Sequence, residues 1–314
     1  MTVYLCGNLD AADIVSWQTH LQAALPQERI LTTLSSAERG EVDVAVVANP
    51  PAGSLQGLPS LRLIQSLWAG VDRLMLDSTL PPDVPVARMV DPHMNDAMAQ
   101  TALWAVLSLH RGFFDYARQQ AEACWLPLPQ RRADEVRVSV LGLGQMGGTV
   151  ARALQAAGYA VTGWRLGLEP PASPSPVPSC SGLPALPGLL ASTDVLINLL
   201  PLTPATTGML NAQLFARLPQ GASVVNLARG AHLVEADLLA ALSSGHISRA
   251  VLDVFATEPL PPAHAFWRHP KVTVLPHAAA ATDPRSAAAV VAANVQALRA
   301  GRPLAHRVSR SAGY

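Results

Sequence analysis

The sequence predicts an α/β protein made of two doubly wound parallel-sheet domains. Apolar runs of strand length alternate with longer helical patterns, and this alternation restarts abruptly at residue 136. Continuous apolar runs suit parallel strands buried on both faces, and intervening helices suit βαβ crossovers. Size agrees: 314 residues, 50% of them hydrophobic, suffice for roughly two domains of ordinary size.

In the first series, "VYLC" (Val3–Cys6) is a short strand candidate. "VDVAVVA" (Val42–Ala48) and "LRLIQSL" (Leu61–Leu67) are continuous apolar runs. "NDAMAQTALWAVLSLHR" (Asn95–Arg111) is one long helical pattern that links the two series. The second series opens with "VRVSVLGLG" (Val136–Gly144) and continues through "YAVTGW", "DVLINLL", "ASVVNLA", "RAVLDVF" and "KVTVL", with helical patterns such as "EADLLAALSSG" in the gaps. "LEPPASPSPVPSCSG" (Leu168–Gly182) is rich in Pro and Ser and reads as a surface loop. A final helical run, "PRSAAAVVAANVQALRAG" (Pro284–Gly301), follows the last strand.

Composition narrows the function. A formal net charge of +0 leaves no electrostatic footprint for nucleic acid or an anionic membrane. No apolar run is long enough to span a bilayer. The first residues, "MTVYLCGNLD", lack the pattern of a signal peptide. Cys6, Cys124 and Cys180 are scattered, without metal-ligand spacing. Reduced thiols in a cytoplasmic protein that binds no metal are the expectation.

"VLGLGQMGGTVARAL" carries Gly142, Gly144 and Gly147 as G-x-G-x-x-G, directly after a strand and opening a helix. In that context the pattern predicts dinucleotide binding. Gly142 permits the tight turn, Gly144 lets backbone approach a pyrophosphate, and Gly147 lets helix pack on strand. An NAD site calls for an acid at the end of the next strand, to accept from the ribose 2′-OH. Here Arg165 follows Trp164. A guanidinium suits a 2′-phosphate, so NADP(H) is preferred, with NAD(H) the alternative and Glu169 the nearby residue that could contest the choice.

Three further segments put polar residues just past apolar strands. "VVNLARGAHLVEADLL" carries Arg229, "AVLDVFATEPLPP" carries Asp253 and Glu258, and "VTVLPHAAAA" carries His277. The carboxyl ends of parallel strands line the ligand crevice, so these side chains can converge. Reducing a 2-oxo acid needs a proton donor for the developing alkoxide and a cation for the carboxylate and carbonyl oxygen. Imidazole titrates near neutrality and suits the proton. Glu258 can orient His277 and favour its charged form. Arg229 offers a fork that matches a carboxylate. Pro276 is expected to end the last strand, since it cannot donate to a ladder, and to turn His277 toward the crevice.

These segments, with "LINLLPLTPATTGMLNAQLFARLPQGASVVNLARGAHLVEADLLAAL" and "HPKVTVLPHAAA", resemble the D-isomer-specific 2-hydroxyacid dehydrogenase family over nearly the whole chain. The resemblance implies two Rossmann/flavodoxin-like domains: a discontinuous substrate domain, residues 1–100 plus 284–314, and a dinucleotide domain, residues 101–283. It implies catalytic roles for Arg229, Glu258 and His277, and places Asp253 near the nicotinamide amide. Cofactor contacts are implied for Gly142, Gly144, Gln145, Met146, Gly147, Arg165, Leu200, Pro201 and Ala228. The segment "WAGVD" resembles the family's substrate loop, so Trp68, Ala69, Gly70 and Val71 are expected to bind substrate with Arg229 and His277.

"LWAGVDRLML" and "DPHMNDAMAQTALWAVL" resemble the glyoxylate/hydroxypyruvate reductase A group, which favours NADPH. The chain departs from that group at Ala48, where tryptophan is frequent, and at Trp68, where glycine is frequent. Trp68 either narrows the pocket to short 2-oxo acids or packs into the core. The implied protein is a homodimer built partly on Asn95–Arg111, with a small 2-oxo or 2-hydroxy acid as its other partner. The alternatives are a dinucleotide-sensing binding module of the same fold or a dehydrogenase for another 2-hydroxy acid. "GLGQMG" also resembles the 3-hydroxyacid dehydrogenases, but those carry the loop near the N-terminus and use a lysine, whereas the one lysine here, Lys271, lies inside a strand-like run.

Overall fold

The computed structural model describes residues 1–167, 175 and 177–314. Its Cα framework forms two compact units: Met1–Met94 with Thr282–Tyr314, and Asn95–Ala281.

The first unit begins with β1 (Thr2–Gly7), α1 (Ala11–Ala24) and β2 (Arg29–Leu31), followed by β3 (Val42–Ala48), β4 (Leu63–Ser66), α2 (Asp72–Met75) and β5 (Val86–Ala87). The strands form one sheet in the order β2-β1-β3-β4-β5, and every pairing is parallel. Central β3 is buried at all seven positions, as a largely apolar run requires, with Asp43 its one charged residue. Asp10 caps α1 by accepting from the Asp13 amide at 2.8 Å. Three-residue β2 and two-residue β5 are too short to carry a periodic signal, which is why sequence patterning passed over them.

The second unit opens on α3 (Pro92–His110), whose residues from Asn95 on belong to it, and on α4 (Phe113–Ala121). Then come β6 (Arg137–Leu141), α5 (Gln145–Ala156), β7 (Ala160–Arg165), β8 (Ser179–Ser181), α6 (Leu186–Leu190) and β9 (Val195–Asn198). The series continues through α7 (Ala212–Phe215), β10 (Ala222–Asn226), α8 (Glu235–Ser243), β11 (Ile247–Leu252) and β12 (Val272–Val274). The sheet order is β12-β11-β10-β9-β6-β7-β8, again all parallel. One apolar layer gathers Trp164, Phe215 and Phe266; another gathers Val106, Val140 and Leu154.

The loop expected over Leu168–Gly182 needs correction at its end. Ser179–Ser181 pairs with Gly163–Arg165 as the edge strand β8. Three small polar residues carry no apolar signal, and only the neighbouring strand orders them. The remainder of that segment, Glu169 included, lies outside the described residues apart from Ser175, Val177, Pro178 and Gly182.

The chain returns to the first unit in α9 (Pro284–Arg299), with Asp283 as N-cap and Pro284 at the first turn. Ala287, Val291 and Val295 are buried against that unit's core. Arg299 closes the helix onto the sheet by bonding Glu28 through Nε and Nη2, each at 2.8 Å, and Asp43 at the start of β3. Among the described residues no helix is long and apolar enough to cross a membrane.

Candidate active site

The glycine loop joins β6 to α5. Gly142 has φ 97°, and a Cβ there would lie 2.6 Å from the Leu199 carbonyl oxygen, so only glycine fits the turn. A Cβ on Gly147 would lie 1.8 Å from the Gly142 carbonyl oxygen. Gly144 differs: nothing stands within 4 Å of where its Cβ would be. It is the N-cap of α5, and no side chain caps the helix. The two crowded glycines hold the backbone in shape, while the third faces open space beside uncapped amides. That arrangement suits an incoming phosphate. Arg165 is the last residue of β7, the neighbouring strand.

On the other side of the sheet, β11 and β12 position the acid–base pair. His277 Nδ1 lies 2.8 Å from Glu258 Oε2, and Glu258 Oε1 accepts from the Phe255 amide at 2.9 Å. The carboxylate is thereby fixed at both oxygens. The imidazole is half exposed, and its Nε2 has no partner among the described residues.

Pro276 does not break the bonding to β11, contrary to expectation. Leu275 donates to Leu252 at 2.8 Å, and His277 donates to Asp253 at 2.9 Å. In a parallel strand alternate amides face opposite sides. β12 is an edge strand, so the position between those two donors faces the open edge, where a missing N–H costs nothing. The turn is set instead by His277, at φ 54°, and by Asp253. Asp253 is buried, with Oδ1 accepting from the Ala278 amide at 2.7 Å and the Ala279 amide at 3.1 Å. Burial raises its carboxyl above the ordinary value, against the two amides that favour the charged form.

Arg229 follows β10, and its Nη1 donates to the Ala228 carbonyl at 2.8 Å. A Cβ on neighbouring Gly230 would fall 1.9 Å from the Phe255 carbonyl carbon. Glycine there lets the loop after β10 press against the segment that holds Glu258. Leu200 and Ala228 are buried. The Pro201 carbonyl accepts from Thr206 Oγ1 at 2.7 Å. Gln145 opens α5, and partly buried Met146 packs on the apolar layer beneath it.

In the first unit, Trp68–Val71 joins β4 to α2. Trp68 packs against the core and also lines a surface cavity. Its amide donates to Ser66 Oγ at 3.0 Å, and its carbonyl accepts from the Met89 amide. The amides of Ala69, Gly70 and Val71 donate to no acceptor among the described residues.

The family description "D-isomer specific 2-hydroxyacid dehydrogenase, NAD binding domain" matches residues 103–279. A glyoxylate/hydroxypyruvate reductase A from Serratia proteamaculans (strain 568) is 42% identical over 303 residues, covering 95% of this chain and 96% of the relative. The chain belongs to the D-isomer specific 2-hydroxyacid dehydrogenases. Solved structures agree. One from Xanthobacter autotrophicus Py2, in complex with NADPH and MES, is 39% identical with a TM-score of 0.93, covering 100% of this chain and 99% of that one. An NADPH-dependent glyoxylate/hydroxypyruvate reductase from Sinorhizobium meliloti, in complex with NADP and sulfate, is 33% identical with a TM-score of 0.90 and the same coverage.

Sequence reasoning missed the groups that brace the dehydrogenase's strand-end loops. Asn198 Nδ2 donates to Asn226 Oδ1 at 3.0 Å across β9 and β10, and Asn226 Nδ2 donates to the Arg229 carbonyl at 3.0 Å. Fully buried His232 sets its ring nitrogens 3.2 Å from the carbonyls of Arg229 and Pro201. The only signal was two asparagines ending strands that are otherwise apolar. Such residues look like ordinary strand-end polar groups until the sheet order pairs them. No group of three His, Cys, Asp or Glu among the described residues is arranged to hold a metal ion.

Proposed function

We propose that this dehydrogenase reduces a small 2-oxo acid, glyoxylate or hydroxypyruvate, to the D-2-hydroxy acid, with NADPH preferred over NADH. The carrying observation is the 2.8 Å contact of His277 Nδ1 with a Glu258 carboxylate that is itself anchored on the Phe255 amide. With Nδ1 committed to the carboxylate, Nε2 carries the proton that the substrate oxygen takes up. The anchored Glu258 carboxylate holds the ring in that orientation. The Arg229 guanidinium, anchored by its Nη1 bond to the Ala228 carbonyl, orients the substrate's carboxylate and carbonyl oxygen. Asp253 acts through the backbone, holding Ala278 and Ala279 so that His277 keeps its turn.

The second unit holds the dinucleotide and the first the substrate. The open space at Gly144, the uncapped start of α5 and the crowded Gly142 and Gly147 fit a pyrophosphate. Arg165 is the group for a 2′-phosphate. Bound NADPH supplies the hydride for the substrate carbonyl carbon. Support for that cofactor comes from the NADPH-bound Xanthobacter relative and the NADPH-dependent Sinorhizobium one. The unbonded amides of Ala69, Gly70 and Val71 receive the substrate's C1 carboxylate, with Trp68 beside them.

The decisive experiment is initial rates on glyoxylate and hydroxypyruvate, each with NADPH and NADH. Reduction of either, faster with NADPH, is expected. Tight NADPH binding with no turnover of any 2-oxo acid would instead favour a sensing module. We also assign a homodimer and a cytoplasmic location. Trp104, Phe113, Trp125 and Leu126 expose apolar surface along α3, α4 and the segment after them, and the three cysteines are free thiols. A monomer in sedimentation at micromolar concentration would refute the dimer.

A further inference from the structure

The carboxyl edge of the first unit's sheet carries a cavity of about 420 Å³, lined by Asn8, Ala48, Asn49, Trp68, Arg73 and Leu74, with Pro50 at its rim. Its position follows from topology. In the order β2-β1-β3-β4-β5 the direction of winding reverses between β1 and β3. Doubly wound sheets bind ligands just outside the strand ends at that reversal. Asn8 follows β1 and Asn49 follows β3, so the two carboxamides straddle it. Gly7, at φ 147°, brings the ends of these strands together: a Cβ there would lie 2.4 Å from the Ala48 carbonyl oxygen. The Asn8 amide donates to that same oxygen at 2.8 Å. Asn49 turns out of β3 at φ 45°, a left-handed conformation that asparagine tolerates better than most residues.

The polar groups of this cavity are uncommitted. The Arg73 guanidinium and the Asn8 and Asn49 carboxamides make no side-chain hydrogen bond or ion pair among the described residues. None of the lining residues is acidic. Trp68 belongs both to the cavity wall and to the loop whose amides are assigned the C1 carboxylate. A tail projecting from a substrate held there therefore meets a cation and two amide donors. Glyoxylate has no tail, and the cavity is within the usual range for a small-molecule site.

We propose that Arg73 is a specificity-determining residue, and that this cavity selects 2-oxo acids bearing a second anionic group, a carboxylate or a phosphate, beyond the carbonyl. The inference rests on the reductase reading above. A guanidinium pairs in a fork with either anion, while Asn8 and Asn49 supply further donors.

The test is kcat/KM with NADPH for oxaloacetate, 3-phosphohydroxypyruvate, 2-oxobutyrate and glyoxylate, in the wild type, Arg73→Gln and Arg73→Lys. One or both substrates with an anionic tail should exceed 2-oxobutyrate, whose tail is uncharged, by about 10-fold or more, through KM. Which of the two leads identifies carboxylate or phosphate. Arg73→Gln should bring that ratio close to unity, and Arg73→Lys should restore part of it. An equal loss on all four substrates, or no preference for an anionic tail in the wild type, overturns the assignment. If no 2-oxo acid is reduced, the reductase reading fails. Calorimetric titration with D-malate then still reads the cavity: binding that weakens in Arg73→Gln supports it, and equal affinity overturns it.

Discussion

Replacing Glu258 with glutamine alters one atom of the acid–base pair and keeps its volume. In the wild type both carboxylate oxygens accept: Oε1 from the Phe255 amide at 2.9 Å, Oε2 from His277 Nδ1 at 2.8 Å. A glutamine has one acceptor and one NH2. With its oxygen on Phe255, the NH2 faces Nδ1, which can no longer donate. Turned the other way, the NH2 faces a backbone N–H. Either orientation loses one of the two bonds that the carboxylate makes. A hydrogen bond to a charged group is worth about 1.5–3 kcal/mol. All of it bears on the proton-donating form, so reduction should slow by about 10- to 150-fold at neutral pH. The assay is kcat for 2-oxo acid reduction alongside NADPH affinity by fluorescence. Affinity should hold while kcat falls. A Glu258→Gln enzyme with wild-type kcat would refute the pairing as a source of catalysis.

Removing the proton donor is the harsher change: His277→Gln should lower reductive turnover by about 10²–10⁴-fold while NADPH still binds, and near-normal turnover would make His277 a structural residue. Arg165→Ala should raise the NADPH Michaelis constant by about 10-fold or more and leave that for NADH nearly unchanged; an unchanged NADPH constant would sink the 2′-phosphate assignment. Asp194 gives a pH-dependent stability. Burial would raise its carboxyl, but the Arg137 side chain and backbone, with Arg131, outweigh burial and lower it to about 2. The unfolded chain binds the proton more tightly, so the ion's stabilisation, on the order of 2 kcal/mol, is complete above about pH 4 and is lost as pH falls through 2. Asp194→Asn should therefore be less stable than wild type in urea at pH 7, with the gap closing by pH 2; a gap that is constant with pH would rule out the charge as its source.

Much of this architecture was legible in residue order. An apolar run such as Val44–Ala48 can be satisfied only by burial on both faces, and it became part of the central strand of its sheet. Gly142 and Gly147 stood at the spacing of a dinucleotide loop, and the contacts a Cβ would make there explain why no other residue serves. Local signals of this kind depend on near neighbours along the chain, and a sequence records those directly. Short edge strands were lost for the same reason: Ser179–Ser181 is a strand only because Gly163–Arg165 lies beside it. The sequence put Glu258 and His277 nineteen positions apart with nothing to say that they meet; the adjacency of β11 and β12 brings them to 2.8 Å. Pro276 looked like the residue that turns the chain, yet edge position makes its missing donor harmless and the turn belongs to His277 and Asp253. The cavity between Asn8, Asn49 and Arg73 had no sequence signature. It exists because the sheet winds in opposite directions from β1 and β3, and strand order is a property of long-range packing that no local run of residues encodes.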